Sequence, residues 1–153
     1  MSSVLFLCTG NSCRSQMALG FMQSLHPAWH SQSAGLEAHG FNLRAVAVMA
    51  ESGIDISGQP SRSLADMRAV HGGELPAFDY VVTVCGHAHE TCPRWPAAGQ
   101  IVHHGFDDPP ALTRDIAGEA EILAVYRRVR DEIQAWISTL PATLAALTDR
   151  EKH

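Results

Sequence analysis

A chain of 153 residues with 46% hydrophobic and 18% charged residues has the make-up of one folded domain, residues 1–153, and not of a disordered segment or a pair of domains. The formal net charge of −5 at pH 7 and the lack of any basic run exclude a general nucleic-acid binder, though not a small anion met by a local cluster of donors. No apolar run approaches the ~20 residues of a membrane span or the core of a secretory leader, so a cytoplasmic protein is expected, in which the four cysteines read as reactive or metal-binding and not as permanent staples.

In chain order, residues 4–7 are an unbroken apolar run, as in a central strand covered on both faces. Thr9, Gly10, Asn11 and Ser12 are turn chemistry. From Arg14 the chain takes a helical pattern, with Met17, Phe21 and Leu25 at four-residue steps and Ala18 and Met22 alongside. A loop between a strand and a helix N-terminus gathers unpaired backbone N–H groups and forms a natural anion cradle. Cys8 opens this loop and Arg14 closes it. A sulfur at the mouth of such a ring, beside a guanidinium, is expected to sit as the thiolate. Arg14 offers a planar fork for two oxygens of a tetrahedral oxyanion. The bland alternative is a buried structural cysteine and a surface arginine.

His26-Pro27 marks a stop, and His30–Gly35 suits a short strand despite its poor apolar signal. Asn42 is placed to cap a helix carrying Leu43, Val46, Val48 and Met49 and ending near Gly53. Residues 54–58 read as a short connection. Ser63 is a candidate N-cap for Leu64–Val70, with Gly72-Gly73 as the exit. Residues 79–85 are the clearest second core strand, rich in β-branched residues and ending, like the first, in a cysteine. Residues 100–104 form a further strand and 105–110 a loop. Ile122, Tyr126, Val129, Ile133, Trp136 and Leu140 make one stripe of a long last helix, with Arg127, Arg128, Arg130, Asp131 and Glu132 read as solvated charges and Pro141 as its breaker. Alternating strands and helices imply a parallel sheet with helices on both faces. Its active site lies at the carboxyl ends of the strands, so Cys8 and Cys85 belong to the same end.

Cys85 and Cys92 flank a short polar segment containing His87 and His89. Three readings stay open: a redox pair, a metal site from Cys85, His87, His89 and Cys92, or packing. The ligand types suit zinc, yet no second short-spaced pair is present. Asp107-Asp108-Pro109 can supply an acid: a thiolate attacking an oxyanion must expel an oxygen, which leaves best when protonated. The alternative is an Asp-Pro turn at a helix start. His103 and His104 are neighbours on a strand and point to opposite faces, so they do not chelate together.

The stretch Cys8-Thr9-Gly10-Asn11-Ser12-Cys13-Arg14-Ser15-Gln16-Met17-Ala18 resembles the active-site loop of thioredoxin-coupled arsenate reductases, which share the fold of low-molecular-weight protein tyrosine phosphatases. The likeness continues through Ser33-Ala34-Gly35, Ile54-Asp55-Ile56-Ser57, the strand ending at Cys85, the spacing to Cys92-Pro93, Gly105-Phe106-Asp107-Asp108-Pro109 and the stretch from Arg128 to Ile133. It implies a single three-layer α/β domain with a four-stranded parallel sheet. It further implies that arsenate is seated on the loop Thr9, Gly10, Asn11, Ser12, Cys13, Arg14 and Ser15, with Asn11 and Ser15 shaping the loop and stabilising the Cys8 thiolate. Cys8 attacks, Asp108 protonates the departing oxygen, and Cys85 and then Cys92 carry the oxidation to a Cys85–Cys92 disulfide that thioredoxin reduces. Cys13 has no part in this electron transfer. No cofactor or metal is implied, and a monomer is expected. The related phosphatases lack the redox pair, usually have Pro at the position of Gln16, and carry tyrosines where this chain has Pro110-Ala111. A phosphatase-like hydrolase is the alternative reading. Some members of the family hold a monovalent cation with a Glu in the first helix and an Asp after the second. Leu19 and Arg62 stand at those positions here, so no potassium site is expected although Asn11 and Ser33 remain.

Overall fold

The chain is described by a computed structural model over residues 2–86 and 94–146. The first apolar run becomes β1 (Ser3–Cys8), and Val4, Leu5, Phe6 and Leu7 are all fully buried. β2 (His30–Gly35), β3 (Tyr80–Thr83) and β4 (Gln100–His103) complete a four-stranded sheet of order β2-β1-β3-β4, parallel throughout. The outer places of β2 and β4 explain their weak apolar signal: an edge strand needs little apolar surface, and Ile101 is half exposed.

Alternation along β1 divides the core. Val4, Phe6 and Cys8 enter a large cluster with α1 (Arg14–Leu25), α2 (Leu43–Glu51) and α5 (Glu119–Ile137). Leu5 and Leu7 enter a smaller one with Met67 of α3 (Leu64–Val70), Phe78 and Trp95. Helices therefore cover both faces, the three-layer arrangement expected from the pattern.

The caps act where the sequence places them. The Asn42 side chain accepts from the amides of Arg44 and Ala45. Ser63 and Asp66 form a reciprocal capping box at α3, satisfying amides that would otherwise be unpaired.

Several expectations are corrected. α1 is not a one-sided stripe: Arg14 through Met22 are all buried, because the sheet, α2 and α5 pack around it, while Leu25 is exposed. β3 stops at Thr83, two residues before Cys85. The segment read as a loop after β4 holds a short helix, α4 (Pro109–Leu112), with Asp108 at its N-cap and a proline in its first turn, where the absent N–H costs nothing. α5 ends at Ile137, so Pro141 lies beyond it and breaks no helix. The charges on α5 lie at the surface as expected, and they are also paired across elements. Arg127 and Arg130 grip Glu51 of α2, and Arg130 also donates to the carbonyl of Val48. Arg128 joins Glu132 to Asp107.

Candidate active site

The strand order reverses direction between β1 and β3, which places a crevice at their carboxyl ends. Cys8 is the last residue of β1. Val84 extends the β3 ladder by donating to the Leu7 carbonyl at 2.8 Å, which sets Cys85 one residue beyond the level of Cys8. Past the end of β3 the strict in–out alternation lapses, and Val84 and Cys85 both join the cluster that contains Cys8. Cys8 is 2% exposed and Cys85 is fully buried. Cys8 and Cys13 are free thiols. Cys85 is disulfide-bonded. Cys92, His87 and His89 fall outside the described residues, so the second constellation is described only at Cys85.

The loop after Cys8 is held from two sides. Segment 35–39 runs beside it, with the amides of Leu36, Glu37 and His39 donating to the carbonyls of Cys8, Thr9 and Gly10. Gly35 makes that approach possible. A Cβ there would lie 2.8 Å from the backbone atoms Asn11 N, Thr9 O and Glu37 O, a contact no side chain can relieve. On the other side, segment 59–62 meets Asn11, whose φ of 46° is left-handed, a conformation asparagine tolerates better than most residues. α1 begins at Arg14 with no side chain capping its first turn and no acidic residue there, which leaves its amides to face an anion.

Ser15 Oγ lies 2.9 Å from Cys8 Sγ, and Asn11 Nδ2 donates to the same hydroxyl at 2.8 Å. When the sulfur is a thiolate it can only accept, so the hydroxyl must donate to it. Arg14 is 3% exposed and donates from Nη1 to the Phe106 carbonyl at 3.2 Å, while its Nε lies 3.7 Å from Asp108 Oδ1. That separation is electrostatic rather than hydrogen-bonded. It brings the loop ending in α4 to the anion loop, with Asp108 still 23% exposed. Burial, then the neighbouring Asp108 and Cys8, push the Cys13 thiol well above its ordinary range, against the pull of Arg14. Cys13 is therefore a neutral thiol.

The histidines read without function divide as expected. His103 Nδ1 meets Thr83 Oγ1 at 2.7 Å, whereas His104 stacks on Trp136 of α5 with ring centroids 4.4 Å apart. Burial, with His103 nearby, lowers the His104 pKa. At the positions considered for a cation, Leu19 is buried and Arg62 donates its backbone N–H to Asn11 Oδ1 at 2.7 Å. The Arg62 guanidinium reaches instead to Gln32, with Nη2 3.5 Å from Oε1.

Sequence reasoning missed two groups. Gln16, Gln59 and Ser61 anchor Asn11 from outside the loop; Gln16 lies inside the motif, but nothing in the pattern marks Gln59 or Ser61. Tyr126, read only as a core residue, also borders a groove of about 890 Å³ next to Ser12, together with Phe41, Asn42 and Pro110.

A buried thiol, a buried guanidinium and a carboxylate converging on one strand–loop–helix define a class of enzyme site. The chain belongs to the low molecular weight phosphotyrosine protein phosphatase family, whose model matches residues 3–150. Within that family its similarity runs to reductases. It is 48% identical over 141 residues to an arsenate reductase of Halalkalibacterium halodurans, covering 92% of this chain and 95% of that one. It is 48% identical over 131 residues to an arsenate reductase of Bacillus subtilis, covering 85% and 88%. Among solved structures, an arsenate reductase in the phosphate binding state superposes with a TM-score of 0.71 at 32% identity, covering 94% of this chain and 98% of that one. A low molecular weight protein tyrosine phosphatase from T. tengcongensis superposes with a TM-score of 0.64 at 26% identity, covering 94% and 99%.

Proposed function

We propose that this chain, as one domain, reduces arsenate to arsenite by a three-cysteine relay with thioredoxin as electron donor. It does so as a cytoplasmic monomer with no cofactor and no potassium site. The observation that carries the reading is the burial of Cys8 and Cys85 in one core cluster at the carboxyl ends of neighbouring strands. A phosphatase needs only the first of these. Likeness to proteins named arsenate reductase supports it, as does superposition on arsenate reductases in reduced, intermediate and oxidised states. A neighbour in the phosphate binding state supports a tetrahedral oxyanion as the ligand.

Arsenate sits on the amides of the loop from Thr9 to Ser15, with the Arg14 guanidinium against two of its oxygens. The Cys8 thiolate attacks arsenic: an S–As bond forms, an As–O bond breaks, and the oxygen leaves as water once Asp108 has given its proton. The Cys85 thiolate then attacks Cys8. The S–S bond forms as the S–As bond breaks, its electron pair stays on arsenic, and arsenite departs. Cys92 attacks Cys85, releasing Cys8 and leaving Cys85–Cys92, which thioredoxin reduces by the same exchange.

The deciding experiment maps disulfides after one arsenate turnover without reductant. Cys85–Cys92 is expected in the parent and Cys8–Cys85 in Cys92→Ser. Stoichiometric arsenite with neither disulfide overturns the relay. Hydrolysis of aryl phosphate that is indifferent to Cys85 and Cys92, with no arsenate reduction, selects the phosphatase instead.

A further inference from the structure

The anion loop is one peptide wide at Asn11, and what holds that peptide lies outside the loop. The Asn11 side chain can be oriented without ambiguity. Its Oδ1 takes the backbone N–H of Arg62, a group that can only donate, so Nδ2 is the atom that faces Ser15. Gln16 is oriented the same way. Its Nε2 lies 3.0 Å from the carbonyl of Asn11 and 3.0 Å from the carbonyl of Pro60, both obligate acceptors, so its two protons are committed. Its Oε1 accepts from Gln59 Nε2 at 2.6 Å, and the Gln16 backbone carbonyl accepts from the same nitrogen at 3.1 Å. Ser61 Oγ takes the second lone pair of the Asn11 carbonyl at 2.8 Å.

We propose that Gln16 is a positioning residue for the nucleophile: it fixes the left-handed Asn11 peptide and, through Asn11 and Ser15, the hydrogen bond to Cys8. Two consequences follow from one contact. A planar trans peptide sets C=O and N–H on opposite sides. Holding the Asn11 carbonyl toward segment 59–62 therefore turns the Ser12 N–H the other way, toward the loop's mouth. The same grip keeps Asn11 Nδ2 on Ser15, whose hydroxyl is then directed at the sulfur. Gln16 is 4% exposed and its side-chain amide is engaged with Asn11, Pro60 and Gln59, so its effect is transmitted through the loop.

This inference rests on Cys8 being the nucleophile of the reaction proposed above, but its test needs no arsenate. In the reduced protein, iodoacetamide alkylation of Cys8 is followed against pH by site-resolved mass spectrometry, in the parent and in Gln16→Met. The substitution keeps the volume and removes both donors. The expected result is an alkylation profile displaced to higher pH by about one unit relative to the parent. A thermal midpoint that falls while the alkylation profile stays on that of the parent overturns the proposal, because a purely structural role predicts that outcome. Should Gln16→Met fail to fold, Gln59→Met loosens Gln16 without touching the loop. A smaller displacement in the same direction supports the proposal, and an unmoved profile overturns it. A failed reductase assay beside a displaced profile would count against the arsenate reading and leave this one standing.

Discussion

Ser15 shows how little material separates a buried cysteine from a reactive one. Its hydroxyl lies 2.9 Å from the Cys8 sulfur and accepts from Asn11 Nδ2, all within fully or nearly fully buried surroundings. Ser15→Ala removes the donor to the thiolate and strands a buried amide, at a cost of about 1–3 kcal/mol. Single-turnover arsenate reduction is expected to slow as well, each tenfold loss corresponding to about 1.4 kcal/mol of barrier. An unchanged rate would show that the sulfur needs no such partner. Cys13 is the internal contrast. It sits in the same loop, yet burial and the neighbouring Asp108 and Cys8 push its thiol up, so at neutral pH it stays protonated and unreactive. Iodoacetamide at pH 8 should therefore label Cys8 and spare Cys13 in the same reduced sample. Equal labelling of the two would contradict the assignment. From sequence the two cysteines could be told apart only by position, Cys8 at the strand end and Cys13 within the turn. The raised Cys13 thiol comes from burial first and then from neighbours such as Asp108, which only the fold brings to it.

Among the elements, those with strong local signals were legible. β1 needed only its apolar run, and α2 and α3 only Asn42 and Ser63 at their starts. Elements whose limits depend on tertiary contacts were not. β3 stops at Thr83 although β-branched and apolar residues continue to Cys85; Val84 still bonds the Leu7 carbonyl, and Cys85 beyond it joins the core cluster that also holds Cys8. Residues 105–110 read as a loop, with an Asp-Pro turn at a helix start as the alternative, and the structure has the helix, whose first turn permits proline. The polar face of α5 shows the same limit. Arg127 and Arg130 appear as free surface charge until α2 is packed against them and Glu51 lies between. Those two guanidinium groups lower the Glu51 pKa to about 2. A carboxylate depressed in the fold stabilises it above the ordinary carboxylate range and loses that contribution as pH falls toward the folded value. Glu51→Gln should accordingly lower the thermal midpoint at pH 7. The gap from the parent should narrow on acidification below about pH 4.5 and close near pH 2, and it should shrink in high salt at pH 7 because the pair is exposed. Melting curves across that pH range check it, and a gap independent of pH would mean that Glu51 acts through packing.

At the scale of the whole molecule, the sheet order explains why residues so far apart in sequence form one site. β1 and β3 are neighbours while β2 lies outside β1, so the carboxyl ends of β1 and β3 face one crevice, and the loop after β4 brings Asp108 to Arg14. The alternating pattern made the parallel sheet legible, and with it the shared end of Cys8 and Cys85. The approach of segments 35–39 and 59–62 to the loop was not legible, because it rests on backbone contacts at Gly35 and on the side chains of Gln59 and Ser61. These contacts tie the anion loop to β2 and to the start of α3, so filling the loop should steady the fold as a whole and not the loop alone. Anything that binds the folded chain and not the unfolded one stabilises it by mass action, about 2.7 kcal/mol at a hundredfold excess over its Kd. For a chain of this size each kcal/mol moves the melting midpoint by about 2–4 °C. Phosphate, a tetrahedral oxyanion that thiols do not reduce, should therefore raise the midpoint by about 5–10 °C at saturation. Arg14→Lys should remove most of that rise, since a single ammonium cannot reproduce the fork against two oxygens. Potassium in place of sodium at equal ionic strength should add nothing, because the Asn11 side-chain oxygen already holds the Arg62 amide and Leu19 brings no charge. Differential scanning calorimetry with the three salts separates these cases. A rise with potassium alone would restore a cation site, and an equal phosphate effect in Arg14→Lys would place the anion elsewhere on the molecule.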